Sequence, residues 1–419
     1  MSGRAKVNAR LFFTVFTFFC VMQVFCQDRN LDYYISRAKN GSPLLADYKN
    51  QMQAASVDSQ MIRAAQRIQV NGISTNFYAP TIGGYGYDKI ITNGAQVSAF
   101  VQASKNIITS ANLATQYETI RLMRESAGNT SVLAEKDLKK TITTQYITVY
   151  GDFQALQFDR EILTLFQNEE ELLKNLTRSG VYKQTDYLTF YVSLQQQQLL
   201  VRQSDIQFRN DCATLNYLSG LIDTSLVSLA APDLQLGTLP DIFGSPFYRQ
   251  YTLDSLNLVN QQKTILYSYK PRINIYADGG YNSSLQFEPY KNAGLSAGLT
   301  VSVPIYDGRQ RKMKYEKINL AENTRQQYKD YFLRQYSQQI AQLTQQLKAT
   351  ESLMDDINSQ IKYSGTLIDV NKKLLETGEV RITDLILTIN TFLNARNLLN
   401  QNYVNRMQII NQINYWQAL

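Results

Sequence analysis

The residue types that usually carry chemistry are scarce in this chain. Its 419 residues include no histidine, three cysteines and 35 acidic side chains against 42 basic ones. Without imidazole the commonest general base is missing, and no nucleophile–base pair can be drawn. Two of the cysteines, Cys20 and Cys26, lie in the N-terminal apolar segment. That leaves Cys212 alone, and neither a zinc site nor an intrachain disulfide is indicated. Gly83-Gly84-Tyr85-Gly86 has the glycine density of a phosphate loop, but no Lys-Ser/Thr follows it, and strand glycines facing a crowded lumen explain it better. The acidic pairs Glu169-Glu170 and Asp355-Asp356 read as solvated faces of long helices. A more suggestive carboxylate recurs: Thr185-Asp186 follows Gly180, and Thr383-Asp384 follows Gly378. A glycine ends one helix there, and Thr185 or Thr383 can cap the next, a role worth about 1 kcal/mol. The chain is expected to be no enzyme and to need no cofactor or metal.

The recurrence extends beyond those turns. Gly41-Ser42-Pro43 with Tyr48 returns as Gly244-Ser245-Pro246 with Tyr251, about half a chain later. Between the matching anchors each half carries two short alternating segments and then a very long helical stretch, the mark of a tandem duplication. The expected organisation is a signal peptide over 1–26, then a first repeat over 27–228 with strands at about 81–103 and a helical hairpin at about 104–220. A linker over 229–243 follows. The second repeat covers 244–419, with strands at about 272–304 and a hairpin at about 309–416.

Arg4, Lys6 and Arg10 precede the apolar run from Leu11 to Val24, which is too short to span a bilayer comfortably. Val24 and Cys26 suit a peptidase, so cleavage after Cys26 is expected. The rival, a lipoprotein acylated on Cys26, is disfavoured by the bulky Phe25. Losing those three cations reduces the formal charge of +7 to a mild excess, which fits a solvated surface and no nucleic-acid partner. No later run is apolar enough for a membrane helix, leaving a soluble exported protein or an outer-membrane barrel.

The strand signal is clearest from Asn292 to Pro304. Leu295, Ala297, Leu299, Val301 and Val303 alternate with Ser296, Gly298, Thr300 and Ser302, at about the length of a tilted membrane strand. Its partner runs from Arg272 to Tyr281. In the first half, Val97, Ala99, Val101 and Ala103 alternate with Gln96, Ser98 and Gln102, with a partner expected from Thr81 to Tyr87. Val97, Ala99, Val101, Leu295, Leu299 and Val301 are the candidates for the lipid face. Taken alone, each pair equally fits a half-buried soluble sheet, since barrel signals are weak per segment. Four strands cannot close a barrel with a lumen, so a membrane location requires several chains to share one.

From Lys312 to Leu375 the sequence is helical in pattern and free of proline, which at about 1.5 Å per residue makes a rod of roughly 100 Å. Tyr336, Ile340, Leu343, Leu347, Thr350, Met354, Ile357, Ile361, Ser364, Ile368, Asn371 and Leu375 keep a strict heptad frame. Leu138, Ile142, Val149, Leu156, Leu163, Phe166 and Leu173 form a weaker copy. Gly180 and Gly378 turn these helices back, so each repeat ends in a long hairpin whose turn lies far from its strands.

With these segments in hand, the chain resembles the TolC-like outer membrane efflux protein family over nearly all of its mature length. The strongest pieces are the strand-to-helix passage Gly294 to Gly308, the turn Gly378-Glu379-Val380-Arg381-Ile382-Thr383-Asp384, and their first-half counterparts. The resemblance implies an α+β membrane protein of tandem strand-strand-long-helix repeats. Three chains would share a 12-stranded β-barrel and a long α-helical coiled-coil barrel. It also implies a homotrimer in outer membrane lipid, with a periplasmic extension, a periplasmic adaptor (membrane fusion) protein and an inner-membrane transporter. Such a trimer would be the passive exit duct of a tripartite efflux or type I secretion system. Gly180, Thr185, Asp186, Gly378, Arg381, Thr383 and Asp384 would then form the periplasmic tip and aperture, with Asp384 at an acidic position of the constriction. The pattern departs at Leu387, where the family prototype has a second acidic residue, at Leu375 in place of a gating tyrosine, and at Val380 in place of an arginine, although Arg381 is adjacent. The alternative reading is a structural coiled-coil protein of the envelope without a pore.

Overall fold

The computed structural model describes residues 29–80, 82–87, 95–223, 229–238, 241–285 and 288–417. The expected signal segment lies outside them. In chain order the elements are α1 (Leu31–Gly41), α2 (Pro43–Ala65), β1 (Gln69–Tyr78), β2 (Ala95–Ile107), α3 (Ser110–Arg178) and α4 (Gln184–Leu218). They continue with α5 (Pro246–Ser268), β3 (Arg272–Ser283), β4 (Ala293–Ser302), α6 (Gln310–Thr377) and α7 (Ile382–Tyr415). Contacts divide the chain into two compact units, one of Met1–Gly41, Thr141–Gln235 and Ala349–Asn411, the other of Ser42–Lys140, Leu236–Lys348 and Gln412–Leu419.

The duplicated Gly-Ser-Pro motif proves to be a helix start. Ser42 Oγ accepts the Leu45 N–H at 3.4 Å, with Pro43 as the first residue of α2. Ser245 Oγ accepts the Tyr248 N–H at 3.3 Å, with Pro246 opening α5. Serine satisfies a free amide of the first turn, and proline has none to leave unpaired.

The long helices α3 and α6 run for 69 and 68 residues. Every position of the heptad frame from Tyr336 to Leu375 is buried or half-buried, Thr350, Ser364 and Asn371 included. The first-half frame is also inward, with Ile142, Val149 and Leu173 fully enclosed. In the first unit the turn-proximal helices share one apolar core, containing Phe166, Leu173 and Phe190 from α3 and α4 and Ile368, Leu375, Leu385 and Ile389 from α6 and α7. In the second unit Trp416, the only tryptophan, packs among Phe247, Phe332, Tyr336 and Tyr415.

The four strands form one antiparallel sheet in the order β1-β2-β3-β4, so that β2 and β3 join the two halves of the chain. One expected strand is corrected. β1 is Gln69–Tyr78, upstream of the segment from 81 to 87, where Ile82 and Tyr85 instead bridge in a tight turn across Gly83 and Gly84. Pro80 and three glycines favour that turn over a ladder. No described helix is long and apolar enough to cross a membrane.

Candidate functional site

Two regions stand out: the hairpin turns of the first unit and the two faces of the sheet in the second.

Both turns have the same construction. The Gly180 N–H donates to the Thr177 carbonyl at 3.1 Å and the Val181 N–H to Leu176 at 3.0 Å. The Gly378 N–H donates to Leu375 at 3.2 Å and the Glu379 N–H to Leu374 at 3.0 Å. These paired bonds close the last turn of α3 and of α6, and they require the positive φ of +84° and +75° at the two glycines. Gly378 has a second constraint, because a Cβ there would meet Val181 Cγ1 at 2.6 Å, whereas Gly180 faces open space. The two turns therefore touch, and Tyr182 Oη donates to the Val380 carbonyl at 2.9 Å to tie them together.

The threonines do not act as expected. α4 begins at Gln184 and α7 at Ile382, so Thr185 and Thr383 stand inside the first turn and not at its cap. The capping work in α4 falls to Asp186, whose Oδ2 accepts the Lys183 N–H at 3.2 Å. Asp384 occupies the matching place in α7 but is exposed, and among the described residues its carboxylate has no hydrogen bond or ion pair. Its backbone does the local bonding, the N–H donating to Arg381 at 3.0 Å and the carbonyl accepting from Thr388 Oγ1 at 2.8 Å. Arg381 is exposed beside it. The two repeated aspartates thus have different tasks available: one carboxylate is used by the helix, the other is left to its surroundings.

A further correction concerns Glu169-Glu170. Glu169 is buried and pairs with Lys372 of α6 at 3.0 Å. Glu170 accepts from Tyr187 Oη at 2.6 Å. Neither is a freely solvated face; both tie neighbouring helices. Asp355 and Asp356 are exposed, as expected. Asn371 Nδ2 donates to Thr388 Oγ1 at 3.0 Å, which explains a polar residue in the apolar seam. Sequence reasoning also missed Asp152. Burial, then the neighbouring Asp211 carboxyl, pushes it up to about 7. Burial likewise raises the Cys212 thiol to about 11. Among the described residues no group of three or more His, Cys, Asp or Glu is arranged to hold a metal.

The sheet register decides which residues share a face, because directly paired residues of an antiparallel ladder point the same way. Val101 pairs with Gly72 and Gly279, Gly279 with Leu295, Ala99 with Tyr281, and Val97 with Ser283. Ile275 pairs with Leu299 and Ile273 with Val301. All six candidates, Val97, Ala99, Val101, Leu295, Leu299 and Val301, therefore lie on one face together with Ile273, Ile275 and Ala277. The opposite face carries Gln96, Ser98, Gln102, Asn274, Tyr276, Asp278, Ser296, Thr300 and Ser302, with Ile73, Phe77 and Phe100 as large apolar members near β1. Leu295 is 91% exposed, Val101 62% and Leu299 61%, so an apolar face lies bare in the single chain. The strands β1 and β4 each pair on one side only, leaving two open ladders.

This fold is shared with solved structures of outer membrane proteins. No protein-family model matches the sequence, and no curated protein sequence matches it. Solved structures do. CusC, described in terms of folding and transmembrane channel formation, is 12% identical with a TM-score of 0.74, covering 93% of this chain and 92% of its own. The outer membrane protein VceC of Vibrio cholerae is 11% identical with a TM-score of 0.74, over 93% and 96%. The MtrE outer membrane channel of Neisseria gonorrhoeae, in its open state, is 12% identical with a TM-score of 0.72, over 92% and 88%. At these identities the likeness is one of fold.

Proposed function

We propose that this chain is one protomer of a homotrimeric outer-membrane exit duct. Its four strands contribute to a shared barrel, and its helical hairpins extend as a tunnel into the periplasm. The observation that carries this reading is the sheet: a bare apolar face, a polar face behind it and two unpaired edges. Exposed apolar area of that kind is costly in water and favourable in lipid. Open ladders cannot persist in hydrocarbon, where every backbone group must be bonded. Joining β4 of one copy to β1 of the next removes both edges, and three copies supply twelve strands, enough to enclose a lumen lined by the polar face. The structural neighbours named as outer membrane channels support the same arrangement. The turns at Gly180 and Gly378 form the periplasmic end in this reading, where Asp384 from three copies rings the opening. An adaptor protein docks there, and an inner-membrane transporter delivers the cargo through it.

The test places a cation on each face. Arg in place of Leu299 should cost about 2–4 kcal/mol near the bilayer midplane, while Arg in place of Ser302 enters the water-filled lumen. Heat-resistant trimers recovered from the outer membrane should therefore fall sharply for Leu299→Arg and persist for Ser302→Arg. Equal assembly of the two variants refutes the assignment of faces. A wild-type protein found only as a soluble, non-trimeric rod refutes the duct and favours the envelope coiled coil.

A further inference from the structure

The duplication can be traced residue by residue through the helices. The offset from Gly41 to Gly244 matches α2 to α5, so Val57 stands where Asn260 does. The offset from Gly180 to Gly378 matches α3 to α6. It aligns the heptad residues Leu138, Ile142 and Val149 with Tyr336, Ile340 and Leu347, and it carries Thr115, Leu122 and Asn129 to Met313, Leu320 and Gln327. Each short helix lies on the long helix of its own half. A Cβ at Gly128 of α3 would meet Met52 Sδ of α2 at 3.5 Å, and Arg325 Nη1 of α6 donates to the Tyr251 carbonyl of α5 at 3.1 Å. α5 has a second neighbour, α3. Asn260 Nδ2 donates to Thr119 Oγ1 at 2.7 Å and Asn129 Nδ2 to Gln250 Oε1 at 3.1 Å, so these two helices run antiparallel. Thr115, Leu122 and Asn129 form the stripe of α3 along that contact, and all three are buried.

The matching surfaces of α2 and α6 are bare. Val57 is 53% exposed where Asn260 is 4%, and Leu320 is 61% exposed where Leu122 is fully enclosed. Met61 and Met313 are exposed beside them. The contact made once inside the chain thus leaves over both of its halves. The sheet leaves the same remainder. β2 leads into α3, α5 leads into β3, and β2 pairs with β3. β4 leads into α6, α2 leads into β1, and β4 and β1 are the open edges. The charges agree with the strands. Thr119 and Gln261 line one groove beside the α3–α5 contact. Their counterparts are Lys317 and Asp58, which are opposite in sign.

We propose, resting on the trimeric duct reading, that the α5–α3 contact is repeated between copies, with α2 of one copy lying antiparallel along α6 of the next. Val57 then covers Met313 and the stem of Lys317, as Asn260 meets Thr115 and Thr119 within the chain. Asp58 meets the Lys317 ammonium at the rim, and Asp47 meets Gln327 as Gln250 meets Asn129. At Val57, Met313 and Leu320 this pairing is more apolar than its template, which suits a contact formed between separate chains. It also continues the joined edge strands into the helical wall, so that every short helix lies between two long ones.

The experiment oxidises purified trimers that carry paired cysteines in a Cys212→Ser background. Val57→Cys with Lys317→Cys copies the Asn260–Thr119 pair, and Asp47→Cys with Gln327→Cys copies the Gln250–Asn129 pair. Both should give covalent dimers and trimers on denaturing gels. Val57→Cys with Asn319→Cys is the control, because Asn319, two residues beyond Lys317, lies about 200° around the helix; it should stay at the mass of a single chain. Trimers in which both test pairs link no better than the control overturn the helix pairing while leaving the duct intact. A protein recovered from the outer membrane only as single chains overturns the trimer reading itself.

Discussion

Replacing Gly378 by alanine separates two physical costs that the matching Gly180 does not share. Both glycines have positive φ, and an L-residue held there loses about 1–2 kcal/mol. Gly180→Ala meets open space and should lose no more than that. Gly378→Ala also forces a methyl to within 2.6 Å of Val181 Cγ1, and overpacking of that kind adds about 1–3 kcal/mol. The natural reporter is hydrogen exchange of the Glu379 amide, bonded to the Leu374 carbonyl at 3.0 Å and released when the turn opens. Since about 1.4 kcal/mol is a factor of ten, the extra term should speed exchange in Gly378→Ala roughly 5- to 150-fold beyond the equivalent change in Gly180→Ala. Shortening the obstacle with Val181→Ala, itself mild because Val181 is 48% exposed, should return Gly378→Ala to the level of its counterpart. Equal effects of the two alanines, or no rescue by Val181→Ala, would show that the two turns do not meet at Gly378 in solution.

The repeated aspartates should respond oppositely. Asp186→Ala loses a helix cap and should weaken the α4 start by about 1 kcal/mol in exchange measurements, whereas Asp384→Ala should leave stability near wild type and, in the proposed duct, lower the cation sensitivity of single-channel conductance. Lys372→Met strands the buried Glu169 and should destabilise thermal unfolding by about 1–3 kcal/mol, towards the lower end because Lys372 is itself 37% exposed; adding Glu169→Gln should recover most of the loss. The Asp152 carboxyl is raised by burial from the usual 3.8 to about 7, so the folded chain keeps a proton that the unfolded chain has already released. Stability should therefore fall as pH rises through that window, and Asp152→Asn should flatten the profile and be the more stable form at pH 8, as read by denaturant midpoints.

What could be read from the residues alone follows how local each signal is. β4 was plain because Leu295, Ala297, Leu299, Val301 and Val303 alternate without a break. β1 was missed because its share of the apolar face is Val70, Gly72, Ser74 and Asn76, in which the alternation of apolar with polar residues is lost. The heptad seam was legible over its whole length, since each apolar residue predicts the next. The partners of its polar members were not: Asn371 meets Thr388 on the returning helix. Glu169 reads as solvent-facing on its own helix, but it is buried and paired with Lys372, some two hundred residues on. The turns were found from glycine, but the cap was misplaced. Lys183 is not a capping residue type, and nothing in Thr185-Asp186 says that the aspartate reaches back.

The strand order also sets a timetable. β1 and β2 are near neighbours in sequence, as are β3 and β4, so each hairpin can form soon after its own residues are available. The ladder between β2 and β3 pairs Ile107 with Ile273 and cannot close until everything between them has been delivered. Non-local pairing of this kind is slow, and unpaired strand edges exposed meanwhile invite aggregation. The central seam is thus the late step for the single chain, and in the proposed trimer the two outer edges are satisfied later still, by other copies. Until then each chain carries two unpaired strand edges. For the proposed duct, a need for escort during that interval, and a yield that depends on expression level more steeply than for a self-closing barrel, are consequences of having only four strands.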